Sequence, residues 1–259
     1  MSHHLFQVLP KTPLSQALQE LKSLGIQDYY SIEENSKKYI GGFFVTSPKD
    51  PMFSQEKKIQ QEIDWNEQAQ CFSPYYDHGL IQVPLKEFGF NSDKKVLLNP
   101  GQGFGDLSHP TTQLMLQAMS SHIPFESHVL DIGSGSGVLS FCAHLGLNAR
   151  VLGLEIDDKA LELCVANAKL NHISKIEFKK HISQDILNTF SVILINMIES
   201  EQQEVFKTYC FKNFKGFFII SGLLKDQIET YLAKEVFSKA QLQAMYFQND
   251  WGCVVLKVT

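Results

Sequence analysis

Asp131, Gly133, Gly135 and Gly137 stand at alternate positions where a short apolar run, VLDI, breaks into a turn, and Glu155 closes the next apolar run 20 positions after Gly135. Glycine has no Cβ, so a ligand can lie directly on the backbone there. The helix that such a turn opens offers unpaired N–H groups to a polar ligand. A carboxylate at the end of the following strand reaches the two hydroxyls of a ribose. Together these residues describe a nucleoside site. The plainer alternatives are a tight strand-to-helix turn that holds nothing, and a Glu155 that only caps the next helix. Asp157 suits that cap better, which leaves Glu155 for a ligand.

Further candidates lie on either side. Asn196 ends the run VILIN, and an Asn at the carboxyl end of a central strand faces the ligand crevice of an open sheet. It can instead be a turn residue whose amide caps the following helix. The glycine-rich segment 101–112, GQGFGDLSHPTT, precedes a helix and sets Thr111 and Thr112 in its first turn, where hydroxyls can meet a ligand. His109 can serve as a base, a ligand contact or a hydrogen bond that orders the loop, the last being the commonest use of such a histidine. The other eight histidines form no metal-type cluster, and no metal site is expected.

The elements that must position these residues follow from periodicity. From about residue 108 helical and strand patterns alternate: helix HPTTQLMLQAMSSH, strand HVLDIG, helix SGVLSFCAHLG, strand RVLGLEI, helix DDKALELCVANAKLN, then strands KIEFKK and SVILINMI. Helix ESEQQEVFKTYCFKN, strand GFFIISG and helix LKDQIETYLAKE come next, and the chain closes on LQAMYFQND and WGCVVLKVT with no helix between them. Short apolar strands without polar alternation read as a sheet buried on both faces, and alternation with helices implies a doubly wound sheet. The last two strands imply an antiparallel hairpin at one edge. A mostly parallel sheet closed in this way is the pattern of methyltransferases that use S-adenosylmethionine. The glycine spacing agrees, because a dinucleotide fingerprint reads G-x-G-x-x-G and rarely begins with an acid directly after the strand.

The expected fold class is therefore α/β, a Rossmann-like seven-stranded methyltransferase sheet with a terminal antiparallel hairpin over residues 96–259, plus a small N-terminal α+β unit and a linker. Residues 1–54 form the small unit: strand LFQVL, a helix over residues 13–25 with Thr12 as N-cap and Gly25 as its stop, and a hairpin from DYYSIEE and KKYIGGFFVT. Residues 55–95 read as a polar, partly helical linker that packs Trp65 and Phe72, followed by the lead-in strands GLIQVPL and KKVLLNPGQGFG.

With 259 residues, 44% of them hydrophobic, the chain can bury a large core. A net charge of −5 brings no general attraction to nucleic acid and is compatible with a basic protein partner. The five cysteines are scattered without a C-x-x-C pair, which argues against a zinc site or a disulfide framework and for buried free thiols. The opening MSHHLFQVLPKTP has no charged n-region or long apolar core, so a cytoplasmic protein without signal peptide or membrane span is expected.

Taken in order, PGQGFGDLSHPTT, LDIGSGSGVLS, GLEIDDKAL, ANAKLN, INMI and ISGLLKDQ resemble the successive motifs of the PrmA-type methyltransferases, which modify the large-subunit ribosomal protein numbered eleven. The match spans about residues 96–259, and IDWNEQAQCFSPYYDHGLIQVP is similar to the family's Asp-Trp linker. The first 50 or so residues match weakly; the family carries a small substrate-recognition domain there. The resemblance implies S-adenosyl-L-methionine as cofactor and a protein amine, on a lysine side chain or an N-terminus, as acceptor. The protein partner would be a large-subunit ribosomal protein, with no nucleic acid or membrane bound.

The resemblance also assigns residues. Thr112, Gly133, Glu155 and Asn196 align with the family's cofactor contacts, Glu155 standing where the family usually has Asp. Asn196 belongs to the family's Asn-Ile-Leu motif, written here Asn-Met-Ile, and lies in the family beside both cofactor and incoming amine, which makes it the catalytic candidate. Asp131 and Gly135 of the turn, and Phe104 and His109 of the loop over the methionine end, complete the cofactor set. The family loop is usually Phe-Gly-Thr-Gly-Thr-His-Pro-Thr-Thr; here Asp106, Leu107 and Ser108 follow Phe104 and Gly105. The alternatives keep fold and cofactor but change the acceptor to another protein or a small molecule, or leave a homologue that binds cofactor without catalysis.

Overall fold

A computed structural model describes residues 2–8, 29–34, 37–44, 53–57 and 65–259. The chain divides into two units, Met1–Ile63 and Asp64–Thr259. In the first, strands β1 (Ser2–Val8), β2 (Tyr29–Glu34), β3 (Lys37–Phe44) and β4 (Phe53–Lys57) form an antiparallel sheet in the order β2-β3-β1-β4. The expected strand and hairpin are present as β1 and the β2–β3 pair, while the helix expected over residues 13–25 lies outside the described residues. Strand β4 runs across the expected boundary at residue 54, because its pairing with β1 is a long-range contact with no apolar signature of its own.

The second unit begins with helix α1 (Trp65–Phe72) and a three-stranded antiparallel sheet, β5 (Tyr76–Asp77), β6 (Leu80–Pro84) and β7 (Lys95–Leu98). Trp65 is half-buried as expected, but Phe72 is not packed: it is the last residue of α1 and is 67% exposed. The main body follows as α2 (Pro110–His122), β8 (His128–Ile132), α3 (Val138–Leu147), β9 (Arg150–Leu154), α4 (Asp158–Leu170) and β10 (Glu177–Lys179). Then come α5 (Gln184–Leu187), β11 (Val192–Asn196), α6 (Glu199–Thr208), β12 (Gly216–Leu224), α7 (Ile228–Leu232), β13 (Ala240–Gln248) and β14 (Trp251–Val258).

Seven strands make the sheet in the order β10-β9-β8-β11-β12-β14-β13. The first five are parallel, β14 is antiparallel to β12, and β13 folds back on β14 as the expected hairpin. The chain winds outward from β8 through β9 to β10, then returns to β11 and winds the other way. Strand order therefore reverses between β8 and β11, where an open α/β sheet leaves a crevice at the carboxyl ends of its strands.

Alternate side chains of the central strands feed two cores. Val192 and Leu194 of β11 join Val129, Ile219 and the apolar faces of α2 and α3 on one side; Ile193 and Ile195 join Leu130, Ile132, Phe218 and Ile220 on the other. Each fully buried side chain of this kind contributes roughly 1.5–3 kcal/mol. Helix starts are fixed locally: Asp157, as expected, caps α4 by accepting from the Ala160 N–H at 2.9 Å. At the C-cap of α4, Asn171 pairs its side-chain amide with both backbone groups of Leu97 in β7, accepting from its N–H at 2.8 Å and donating to its carbonyl at 2.6 Å.

Behind the sheet, Gln202 of α6 is fully buried. Its amide donates to the carbonyls of Met197 at 2.6 Å and Ser221 at 3.0 Å, and its carbonyl accepts from the Tyr231 hydroxyl. Burial pushes the Tyr231 hydroxyl pKa up, so it stays a donor. Tyr231→Phe removes that donor and strands the Gln202 oxygen, so denaturant unfolding should show a loss of about 1–3 kcal/mol; an unchanged midpoint would mean that the network does not stabilise the fold.

Candidate active site

The glycine turn leaves β8 and runs into α3. Its shape is set by bonds from three directions. The N–H groups of Gly133 and Ser134 donate to the Leu154 carbonyl at the end of β9, at 2.8 and 2.9 Å. The Gly135 N–H donates to the Glu155 carboxylate at 2.8 Å, and the Gly135 carbonyl accepts from the Cys164 thiol at 3.0 Å. From α4, Asn167 donates to the Ser136 carbonyl at 2.9 Å while its oxygen accepts from Asn99. From the other side the 101–109 loop lies directly on the turn, and the Ser136 N–H donates to the Phe104 carbonyl at 2.8 Å. Gly135 has φ +55, and a Cβ on it would collide with that same carbonyl oxygen; a Cβ on Gly103 would sit 2.6 Å from the Gly135 carbonyl carbon. Two backbones meet here with no room for a side chain.

A cavity of about 720 Å³ opens beside this seam at the strand-order reversal, within the size range of small-molecule sites. Of the residues expected to form a site, Phe104, His109, Gly133, Gly135, Glu155 and Asn196 line it. Thr112 and Asp131 do not. Thr112 is buried behind the wall, where its hydroxyl accepts from the Asn196 amide at 3.3 Å, and its neighbour Thr111 lines the cavity instead. Asp131 lies under the turn, held by the Ser140 hydroxyl at 2.6 Å. Both act on the site through another residue.

Glu155 is buried at the cavity wall. Besides the Gly135 N–H, it accepts from the Asp157 N–H at 3.0 Å, one bond to each oxygen. A carboxylate has about four acceptor positions, so two remain for a pair of hydroxyls. Asn196 uses its amide on Thr112, but its side-chain oxygen is buried without a partner. A buried acceptor left unpaired costs about 1–3 kcal/mol, and this one belongs to a cavity-lining residue. His109 makes the ordering bond: its Nδ1 lies 2.8 Å from the Thr111 hydroxyl and accepts from the Thr111 N–H at 3.4 Å, capping α2. Burial lowers its pKa, the Asp106 charge opposes that, and the ring packs edge-on to Trp251 with centroids 4.7 Å apart. Burial raises the thiol pKa values of Cys142, Cys164 and Cys253 well above neutrality, so these three expected buried thiols are inert; Cys71 and Cys210 are exposed. Among the described residues no group of histidine, cysteine or carboxylate side chains could hold a metal, and no helix is long and apolar enough to cross a membrane.

Several lining residues carried no signal in the sequence. Ile156, 72% exposed, flanks Glu155, and Trp251 arrives from the terminal hairpin. Asn167 and Asn171 could have been found: two amides four apart share one helix face, otherwise lined here by Cys164 and Ala168. The altered loop is ordered by its own residues. Asp106 accepts from Ser108 through its N–H at 3.0 Å and its hydroxyl at 2.6 Å, and the Asp106 carbonyl accepts from the Ser73 hydroxyl at 2.5 Å. Leu107 takes φ 64, a conformation that suits glycine, and its side chain is fully buried.

A doubly wound sheet closed by an antiparallel hairpin, with its crevice at a glycine turn, defines the Rossmann-like methyltransferase class. Comparison with known proteins narrows this. The sequence model of the family described as ribosomal protein L11 methyltransferase (PrmA) matches residues 6–259, and the chain belongs to that family. It is 28% identical over 239 residues to the ribosomal protein L11 methyltransferase of Aquifex aeolicus, covering 92% of this chain and 94% of the relative. The enzyme of that name from Dictyoglomus turgidum is 29% identical over 211 residues, 77% of this chain and 68% of the relative. Among solved structures, the ribosomal protein L11 methylase from Lactobacillus delbrueckii subsp. bulgaricus superposes with a TM-score of 0.52 at 27% identity, covering 62% of this chain and 84% of that one.

Two predictions follow from the seam. Burial, partly offset by Ser140 and reinforced by the Glu155 charge, pushes the Asp131 pKa from 3.8 to about 6. The folded protein then holds a proton that the unfolded chain has released. The associated stability is complete below about pH 4 and is lost as pH rises through 6. Asp131→Asn should remove this slope and stabilise the protein at pH 7 by up to roughly 3 kcal/mol; an identical pH profile for the variant would refute the assignment. Leu107→Gly relieves about 1–3 kcal/mol of backbone strain but empties a buried site worth about 2–5 kcal/mol. The variant should unfold at lower denaturant, and a more stable variant would show that strain outweighs packing.

Proposed function

We propose that this protein is an S-adenosylmethionine-dependent N-methyltransferase that acts on an amine of a large-subunit ribosomal protein, ribosomal protein L11. The observation that carries the reading is Asn196, which lines a cavity bounded by the glycine turn and whose side-chain oxygen is buried without a partner. Family membership supplies the acceptor class.

The residues present fit the cofactor. The two acceptor positions left on Glu155 suit the ribose hydroxyls, Gly133 and Gly135 line the side suited to the amino-acid part, and Phe104 and His109 close the loop side. When bound, S-adenosylmethionine supplies a sulfonium methyl carbon open to in-line displacement. The protein's part is alignment and the exclusion of water. A lysine amine with an ordinary pKa of about 10.4 must also lose its proton, which costs roughly 4–5 kcal/mol at neutral pH. Phe104, Trp251, Met197 and Ile198 give the cavity apolar walls, and desolvation between such walls favours the neutral amine. The Asn196 oxygen then accepts one amine N–H and turns the lone pair outward. Thr112 holds the Asn196 side chain at the wall through one hydrogen bond. With Nδ1 engaged by Thr111, His109 serves the loop rather than proton transfer.

Asn196→Ala should bind S-adenosylmethionine within about tenfold of wild type by calorimetry. It should transfer labelled methyl to ribosomal protein L11 at least about 100-fold more slowly. Wild-type turnover in this variant would remove Asn196 from the mechanism, and a wild-type protein that binds cofactor but labels no ribosomal protein would leave an enzyme with another acceptor or a non-catalytic binder.

A further inference from the structure

A second cavity, of about 290 Å³, lies on the other face of the 101–109 loop. Its walls are Trp65, Gln68 and Ala69 of α1 and the loop residues Gln102 to Phe104, Asp106 and His109. Gln102, Gly103, Phe104 and His109 line both cavities, so the loop is a wall common to the two. Two features give the second cavity a chemistry. Trp65 contributes an indole to the wall, a ring whose face attracts a cation. Asp106 contributes a carboxylate whose Oδ1 is occupied by Ser108 while no described residue donates to Oδ2, and no cation among the described residues pairs with it. The cavity is also held in shape. The Ser73 hydroxyl, just beyond α1, is bonded to the Asp106 carbonyl, and buried Leu107 pins the loop on its other side.

We propose that this cavity is a specificity subsite, in which Asp106 and Trp65 take a lysine or arginine side chain of the protein substrate that flanks the amine to be methylated. An aromatic face beside a carboxylate is complementary to an ammonium or guanidinium group and to little else of this size. Because the two cavities share one loop as a wall, a polypeptide laid across that loop puts its acceptor amine on one side and a neighbouring basic residue on the other. The inference rests on the protein-methyltransferase reading above and adds to it a requirement on the substrate's sequence.

The test measures methyl transfer to ribosomal protein L11 and to L11 variants in which each lysine and arginine is replaced in turn by glutamine. Asp106→Asn keeps the acceptor oxygen that Ser108 uses and removes only the charge, so the loop is retained. It should raise KM for L11 about tenfold, with kcat and the affinity for S-adenosylmethionine unchanged. One basic residue of L11, when replaced, should raise KM equally in wild type and add nothing in Asp106→Asn. Asp106→Glu should recover part of the loss, and Trp65→Leu should raise KM about threefold. An unchanged KM in Asp106→Asn, or basic-residue effects that simply add to it, overturns the subsite while leaving the methyltransferase reading intact. Absence of transfer by the wild type overturns both.

Discussion

Everything in the catalytic unit hangs on one backbone-to-backbone contact, where the Phe104 carbonyl meets the Ser136 N–H and Gly103 lies against Gly135. The contact sets the loop and the turn at a separation that no Cβ could share. The turn's remaining groups are then claimed by Leu154, Glu155, Cys164 and Asn167, drawn from the next strand and the next helix. Each buried polar group left unpaired would cost about 1–3 kcal/mol, so displacing any one partner disturbs the rest. The wall between the two cavities is this same contact seen from either side.

Such a rigid frame leaves a few groups deliberately incomplete. Glu155 retains acceptor capacity, and Asn196 presents an oxygen with nothing to accept from. Asp131, one strand position before Ile132, is a buried carboxyl whose pKa burial raises to about 6. The frame therefore concentrates acceptors, the Glu155 carboxylate among them, around a cavity suited to a cationic ligand. In a low-dielectric site such preorganised dipoles act more strongly than they would in water.

The architecture was readable from the residues because its signals are local. Apolar runs, capping residues and acid-first glycine spacing all act within a few positions, and the hairpin at residues 240–258 announced itself by the missing helix. Asp157 was recognisable as a cap for the same reason. What escaped depended on distance in sequence. Trp251 reaches the cavity from the far terminus, β4 finds β1 across the intervening chain, and Trp65 and Asp106 line one cavity from distant positions. Thr112 was placed in the right turn of α2, and it stands behind the cavity wall. A one-residue step on a helix rotates a side chain by roughly 100°, so Thr111 meets the cavity while Thr112 supports Asn196.

Asn171 has a bearing on how this protein behaves at high concentration. Strand β7 is the border of its small sheet, and a border strand exposes N–H and C=O groups that can recruit a foreign strand. By engaging both backbone groups of Leu97, the Asn171 side chain takes the place of a neighbouring strand. One amide at the end of a helix thus occupies the two backbone groups that a foreign strand would need at Leu97, without adding a single charge.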